Sequence, residues 1–503
     1  MQKASRLLSA VALLALAAQS WAQNLDRQTL PAQEIVKASG IKGGLVVHMG
    51  SGDGTITADL FANDRYVVHG LYGTRHNVGG AREHIRQRNL YGKVSVQQWA
   101  HNYLPYADNT VNLLVAENLA DVPIEEVMRV LVPRGVAYIK SGEGWDKTSK
   151  PWPKEIDEWT HFLHGPDNNA VAQDNIVGVP RHVQWIGQPK FARSHEQLAS
   201  VSAMVSAGGR IFYVVDEGLT ADIRMPARWH LVARDAFNGV VLWKRTADEW
   251  SDHMHGFRSG PPDLPFRLVA VADRVYLPLG PDKKVTALDA VTGELVMTCK
   301  ESEHTRQIIH TGDRLIMLTG NSQATIHMDP RQKKSTRRSI IAANTETGDV
   351  LWRKEVSTET RLPLVASGDA LLYQTDEHLV CLKLASGDED WRIAHPVRLA
   401  NPGNRIWQWA SPTLTAQDGI VYVADFRSLS AILAEDGTIL WRSSSRQGFC
   451  SPPDVFVIDG LLWRGYTPQR GSADFGEGLD ARTGELVKTI ETDKAWSYAT
   501  LAH

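Results

Sequence analysis

Two groups of residues in this 503-residue sequence have types and spacing that could do chemistry. The first is a set of histidines. His161 and His164 stand in Trp159-Thr160-His161-Phe162-Leu163-His164-Gly165-Pro166-Asp167-Asn168-Asn169, and His253 and His255 in Asp252-His253-Met254-His255-Gly256. His182, His195 and His230 lie between them. Imidazoles at i and i+2 of a strand share a face, so such a pair could hold a metal ion or act as acid and base. Loop histidines bonded to backbone are the more ordinary outcome, and no ligand spacing of a known metal site accompanies these. No metal centre is therefore expected. The second group is Gly50-Ser51-Gly52-Asp53-Gly54, directly after the apolar run Leu45-Val46-Val47-His48-Met49. A glycine-rich turn between a buried strand and a helix lets backbone N–H groups approach a nucleotide-like ligand. Trp407 and Trp409 alternate on one face and suit either a sugar ring or interior packing.

The elements around the glycine turn arrive in a regular order. Thr55 to Phe61 opens a helix, Tyr66 to Leu71 reads as a second strand, Ala81 to Asn89 as a helix and Lys93 to Gln97 as a third strand. Leu104-Pro105-Tyr106-Ala107-Asp108-Asn109 leads into the strand Val111 to Ala116. The amphipathic Glu125 to Leu131 follows, then a turn at Pro133-Arg134-Gly135 and a last strand to Ile139. Alternation at this spacing predicts a doubly wound, Rossmann-like α/β sheet over residues 34–145. The ordered set VVHMGSGDG, LPYADNTVNLLV and EEVMRVLVPRGVAYI resembles class I S-adenosylmethionine-dependent methyltransferases. That resemblance implies S-adenosylmethionine as cofactor, with Gly50, Gly52, Asp53 and Gly54 around its methionine end and Asp108 beside its adenine. The family's acid at the end of the second strand, which receives both ribose hydroxyls, is replaced here by Leu71-Tyr72-Gly73. Asn112 stands where an Asp usually opens the fourth strand.

Self-similarity governs the remainder. ARDAFNGVVLW, AANTETGDVLW, CLKLASGDEDW and AILAEDGTILW end at Trp243, Trp352, Trp391 and Trp441, each four residues after a glycine. ALDAVTGELVM and GLDARTGELVK keep Gly293 and Gly484 but lose the tryptophan. The six glycines recur 39 to 55 residues apart, the length of a four-stranded propeller blade. The pattern resembles the repeat of pyrroloquinoline-quinone (PQQ) dehydrogenases and of an outer-membrane assembly lipoprotein, which implies an all-β, quinoprotein-dehydrogenase-like propeller over 181–503 with 146–180 as linker and lead-in. Six blades are legible, a further one begins at Lys494-Ala495-Trp496-Ser497-Tyr498, and Arg181 to Ile186 is a candidate to complete the ring. PQQ with calcium is the cofactor that the resemblance implies, yet the adjacent cysteine pair of some members is missing: Cys299, Cys381 and Cys450 stand far apart and suit buried filling roles.

Composition bounds the function classes. A net charge of -3 with 22% charged residues offers no concentrated basic surface, so nucleic acid is not an expected partner. Lys3 and Arg6, the apolar Leu7 to Ala18 and the small-residue end Ser20-Trp21-Ala22 predict a secretory signal over 1–22, cleaved after Ala22, and hence a periplasmic or secreted protein without a membrane span. Three functions fit this inventory. The first is an extracytoplasmic propeller that binds a protein partner or glycan and carries a degenerate methyltransferase-like module. The second is a PQQ-type oxidoreductase acting on sugars or alcohols, and the third an active methyltransferase with a docking propeller.

Overall fold

The computed structural model describes residues 32–73, 75–178, 182–188, 193, 201–251, 264–320, 336–358, 362–397, 411–445, 454–464 and 474–492. The expected signal segment, His195, His253, His255, Trp407, Trp409, Cys450 and the repeat start at 494–498 lie outside them. The described residues divide into two compact units. One holds the chain up to Lys154 with His182–Gly187 and Arg234–Trp243; the other holds Glu155–Arg181, Gln188–Ala233 and the chain from Lys244.

The first unit is an α/β layer: α1 (Ala32–Ser39), β1 (Gly44–Gly50), α2 (Thr55–Asp59), β2 (Tyr66–Tyr72), α3 (Arg75–Gln87), β3 (Val94–Gln98), β4 (Val111–Ala116), α4 (Ile124–Val130), β5 (Leu131–Ser141) and β6 (Gly144–Ser149). The sheet order is β3-β2-β1-β4-β5-β6, parallel except for β6, which pairs antiparallel with β5. Every residue of β4 is buried, as a parallel strand covered on both faces requires. Alternate residues feed opposite faces: Val46, Leu113 and Val115 pack with Ile35, Ala58 and Ile85, while Val47, Leu114 and Ala116 pack with Val127 and Val130. Where a turn was expected after α4, the chain enters β5 at once, and Arg134 takes φ +65 within the strand. Nor did the reading of the sequence foresee β6.

Asn112 has a structural reason within this unit. Its Oδ1 accepts the Leu45 N–H at 2.8 Å and an Asn238 amide hydrogen at 2.7 Å, while its Nδ2 donates to Asp235 Oδ2 at 2.7 Å. An aspartate there would lack the donor.

Among the described residues of the second part of the chain, six four-stranded antiparallel sheets follow one another as meanders: blade 1 (201–246), blade 2 (269–298), blade 3 (305–358), blade 4 (364–394), blade 5 (413–444) and blade 6 (455–492). The repeat glycines all sit at φ between +71 and +76, in the turn between the third and fourth strands. Their second role is contact. The indoles of Trp352, Trp391 and Trp441 lie over Gly387, Gly437 and Gly484 of the next blade, so close that an added Cβ would stand 2.5 to 2.8 Å from the ring. Each indole N–H donates to the carbonyl three residues before that glycine: Leu384, Ala434 and Ala481, at 3.0 to 3.1 Å. Met297, at a lost tryptophan position, brings its sulfur to Gly348. Trp185 takes the corresponding seat on the Gly239 turn, with its N–H on Ala236 O at 2.9 Å. Cys299 and Cys381 are buried free thiols, each pushed up to about 12 by burial.

Candidate functional site

The first candidate is the crevice at the carboxyl ends of β1 and β4, where strand order reverses and open α/β sheets bind ligands. The chain turns here through Gly52 at φ +103 and Gly54 at φ +93. Beside Gly52 an added Cβ would meet nothing within 4 Å, whereas at Gly54 it would stand 2.9 Å from the Ala81 backbone of α3. Gly50 is required for another reason. A Cβ there would fall 2.3 Å from His48 Cε1, 2.5 Å from His48 Nε2 and 2.9 Å from Glu117 Oε2. Asp53 accepts the N–H of Thr55 at 3.0 Å, which, with the Thr55 hydroxyl, holds its carboxyl below the usual range. Its side chain braces the turn.

Beneath the turn runs a buried chain of hydroxyls. His48 Nδ1 lies 2.7 Å from Thr57 Oγ1, which lies 2.7 Å from the Tyr72 hydroxyl. Burial lowers His48 to about 4, so it is neutral at ordinary pH, and its Nε2 has no hydrogen-bond partner among the described residues. The same burial raises the Tyr72 phenol. Tyr72 therefore spends its hydroxyl inward, and the end of β2 presents no carboxylate to a ribose. Glu117, the first residue after β4, was overlooked in the sequence. Its Oε2 accepts the Ser51 N–H at 3.0 Å, so the crevice contains this acid as well as Asp53. The visible signal was an acid directly after six apolar or buried positions.

Asp108 is not brought to this crevice. It precedes β4, and β4 runs parallel to β1, so Asp108 lies at the amino end of the sheet, roughly 20 Å of strand away from the glycine turn. There it forms a 2.6 Å ion pair with Arg129. Of the residues assigned to cofactor binding, only Gly50, Gly52, Asp53 and Gly54 are gathered.

The second candidate is the histidine pair before blade 1. His161 and His164 do come together, exchanging main-chain hydrogen bonds at 3.1 Å. Neither is chemically free. His161 Nε2 accepts the His310 N–H at 3.0 Å, which places the ring proton on Nδ1, donated to Thr160 Oγ1 at 2.8 Å. Burial drives His161 down to about 3. His164 Nε2 is bound to Asp157 Oδ2 at 2.6 Å, and its ring stands edge-on to Trp159. Among the described residues no three histidine, cysteine or acidic side chains gather to hold a metal ion.

The architecture is that of a multidomain protein: a Rossmann-like α/β unit, then successive four-stranded antiparallel sheets of propeller type. The family described as PQQ_2: Outer membrane protein assembly factor BamB matches residues 333–408 and 396–499. Among solved structures, BamB from Moraxella catarrhalis is similar at 13% identity and TM-score 0.36, over 60% of this chain and 78% of that one. Quinohemoprotein alcohol dehydrogenase from Comamonas testosteroni gives 11% and 0.43, over 67% and 68%. A Methanococcus maripaludis protein described as an S-adenosyl-L-methionine-dependent methyltransferase gives 25% and 0.21, over 22% of this chain and 54% of that one, about half its length. No curated protein matches the sequence.

Proposed function

We propose that the protein is an extracytoplasmic propeller that binds a protein partner, and that its methyltransferase-like unit is a non-catalytic scaffold. One observation carries this reading: the groups best placed for chemistry are already committed to structure. Tyr72 turns its hydroxyl onto Thr57 where the related fold needs an acid, and His161 gives its lone pair to a backbone N–H. The match of 333–499 to a family described as an outer membrane protein assembly factor supports protein binding rather than turnover. No helix among the described residues is long and apolar enough to cross a membrane. The basic Lys3 and Arg6, the apolar Leu7 to Ala18 and the small-residue end at Ala22 support export.

The test uses the full-length mature chain. Calorimetry with S-adenosylmethionine at millimolar concentration should give no heat, and reconstitution with PQQ and calcium should give no dye reduction on sugars or alcohols. Cross-linking in the envelope of the native host should then recover a defined protein partner. Saturable heat with S-adenosylmethionine would overturn the scaffold assignment, and a glycan-array signal without any protein cross-link would move the partner class to carbohydrate.

A further inference from the structure

The first strand of each blade is an edge strand, so one side of its backbone has no partner inside its own sheet. These first strands also lie next to one another in order from blade 1 to blade 6, which makes them the innermost. At the penultimate residue of each strand the free N–H is taken, and all six go to a single stretch of eleven residues. Ser206 donates to Trp159 O at 2.7 Å, Ala270 to Thr160 O at 3.0 Å and His310 to His161 Nε2 at 3.0 Å. Ala366 donates to Pro166 O at 2.9 Å, Ala416 to Asp167 O at 2.8 Å and Val457 to Asn169 Oδ1 at 3.0 Å. The segment thus visits the blades in sequence order.

Two asparagines add cross-links. Asn168 Nδ2 donates to Leu364 O at 2.9 Å and Leu414 O at 3.2 Å, tying blades 4 and 5. Asn169 holds both main-chain groups of Val457, its Nδ2 reaching the carbonyl at 3.0 Å. Both side chains are buried, so a lost bond would leave unpaired polar groups that water cannot reach.

We propose that residues 159–169 form an axial staple that holds the six blades together and permanently occupies the ring of inner-strand N–H groups. An external ligand or peptide cannot pair with that ring unless the staple leaves. His161 is accordingly a positioning residue, and this end of the axis is closed to a cofactor.

The experiment uses the whole chain with protease sites placed at 151–153 and at 176–178. After cutting both, the freed peptide is expected to co-elute with the blades, and amides Ser206, Ala270, Ala366, Ala416 and Val457 to stay protected from hydrogen exchange. In the double variant Asn168→Ala/Asn169→Ala the cut peptide should dissociate, and those five amides should exchange at least tenfold faster. If the double variant does not fold, Asn169→Leu, which removes the acceptor of the Val457 N–H at similar size, should raise exchange at Val457 and leave Ser206 unchanged. Loss of the peptide from the otherwise unaltered protein, with all five amides still protected, would overturn the staple.

Discussion

Lowering the pH from 7 to 5 should destabilise the blades through His161. Its folded value lies near 3 against an ordinary 6.5, because burial disfavours the cation. The native state therefore binds fewer protons than the unfolded chain, and the stability present above pH 6.5 is lost as pH falls toward 3. Between those limits the slope is about 1.4 kcal/mol per pH unit, so at pH 5 the loss is about 2 kcal/mol. His310, also lowered by burial, adds in the same direction. Asp167, raised by burial, acts oppositely at lower pH because burial disfavours its charged form. The assay is urea denaturation between pH 7 and 5, followed by hydrogen-exchange mass spectrometry of peptides from blades 3 and 4. His161→Asn removes the titration, so its stability should start lower and fall less steeply with pH. If the variant and the unaltered protein show the same slope between pH 6.5 and 5, the burial argument for His161 is wrong.

Two further outcomes follow from packing. Gly437 and Gly419 have nearly the same left-handed backbone, φ +76 and +74, but only Gly437 faces an indole, and nothing lies within 4 Å of Gly419. Gly419→Ala should cost about 1 kcal/mol in urea denaturation, and Gly437→Ala about 2 kcal/mol more because Trp391 must move. Asn112→Asp would put a second carboxylate against Asp235 and should lower the stability of its unit by about 3 kcal/mol at pH 7. Part of that loss should return at pH 4, where the new acid protonates; an unchanged penalty would mean that repulsion is not the cause.

Much of the fold was legible because local chemistry repeats. A turn that demands φ near +74 admits glycine with little competition, and a tryptophan four residues later has one seat to fill, so the blades announce themselves. The α/β order was legible for a similar reason: β1 and β4 are largely apolar along their length, as strands covered on both faces are. The site was less readable. Asp108 carried the right residue type, but its place before β4 puts it at the wrong end of a parallel sheet. Tyr72 could not be oriented from sequence, since its direction depends on Thr57 being below it. The staple was hidden most deeply, because four of its six acceptors are backbone carbonyls, which every residue has. The histidines drew attention there for their side chains, while the segment works mainly through its main chain.

Trp185 also redraws a boundary. It lies well before blade 1 begins, yet fills on the Gly239 turn the seat that a preceding blade's tryptophan fills on blades 4, 5 and 6. A propeller expressed from its first strand onward would lose that indole and uncover an aromatic-sized apolar hollow, about 150–250 Å² of side-chain contact. Such a hollow is an adhesive surface. Shortened forms that begin after Gly187 should therefore self-associate, and recombination that keeps blade 1 must keep its upstream tryptophan as well.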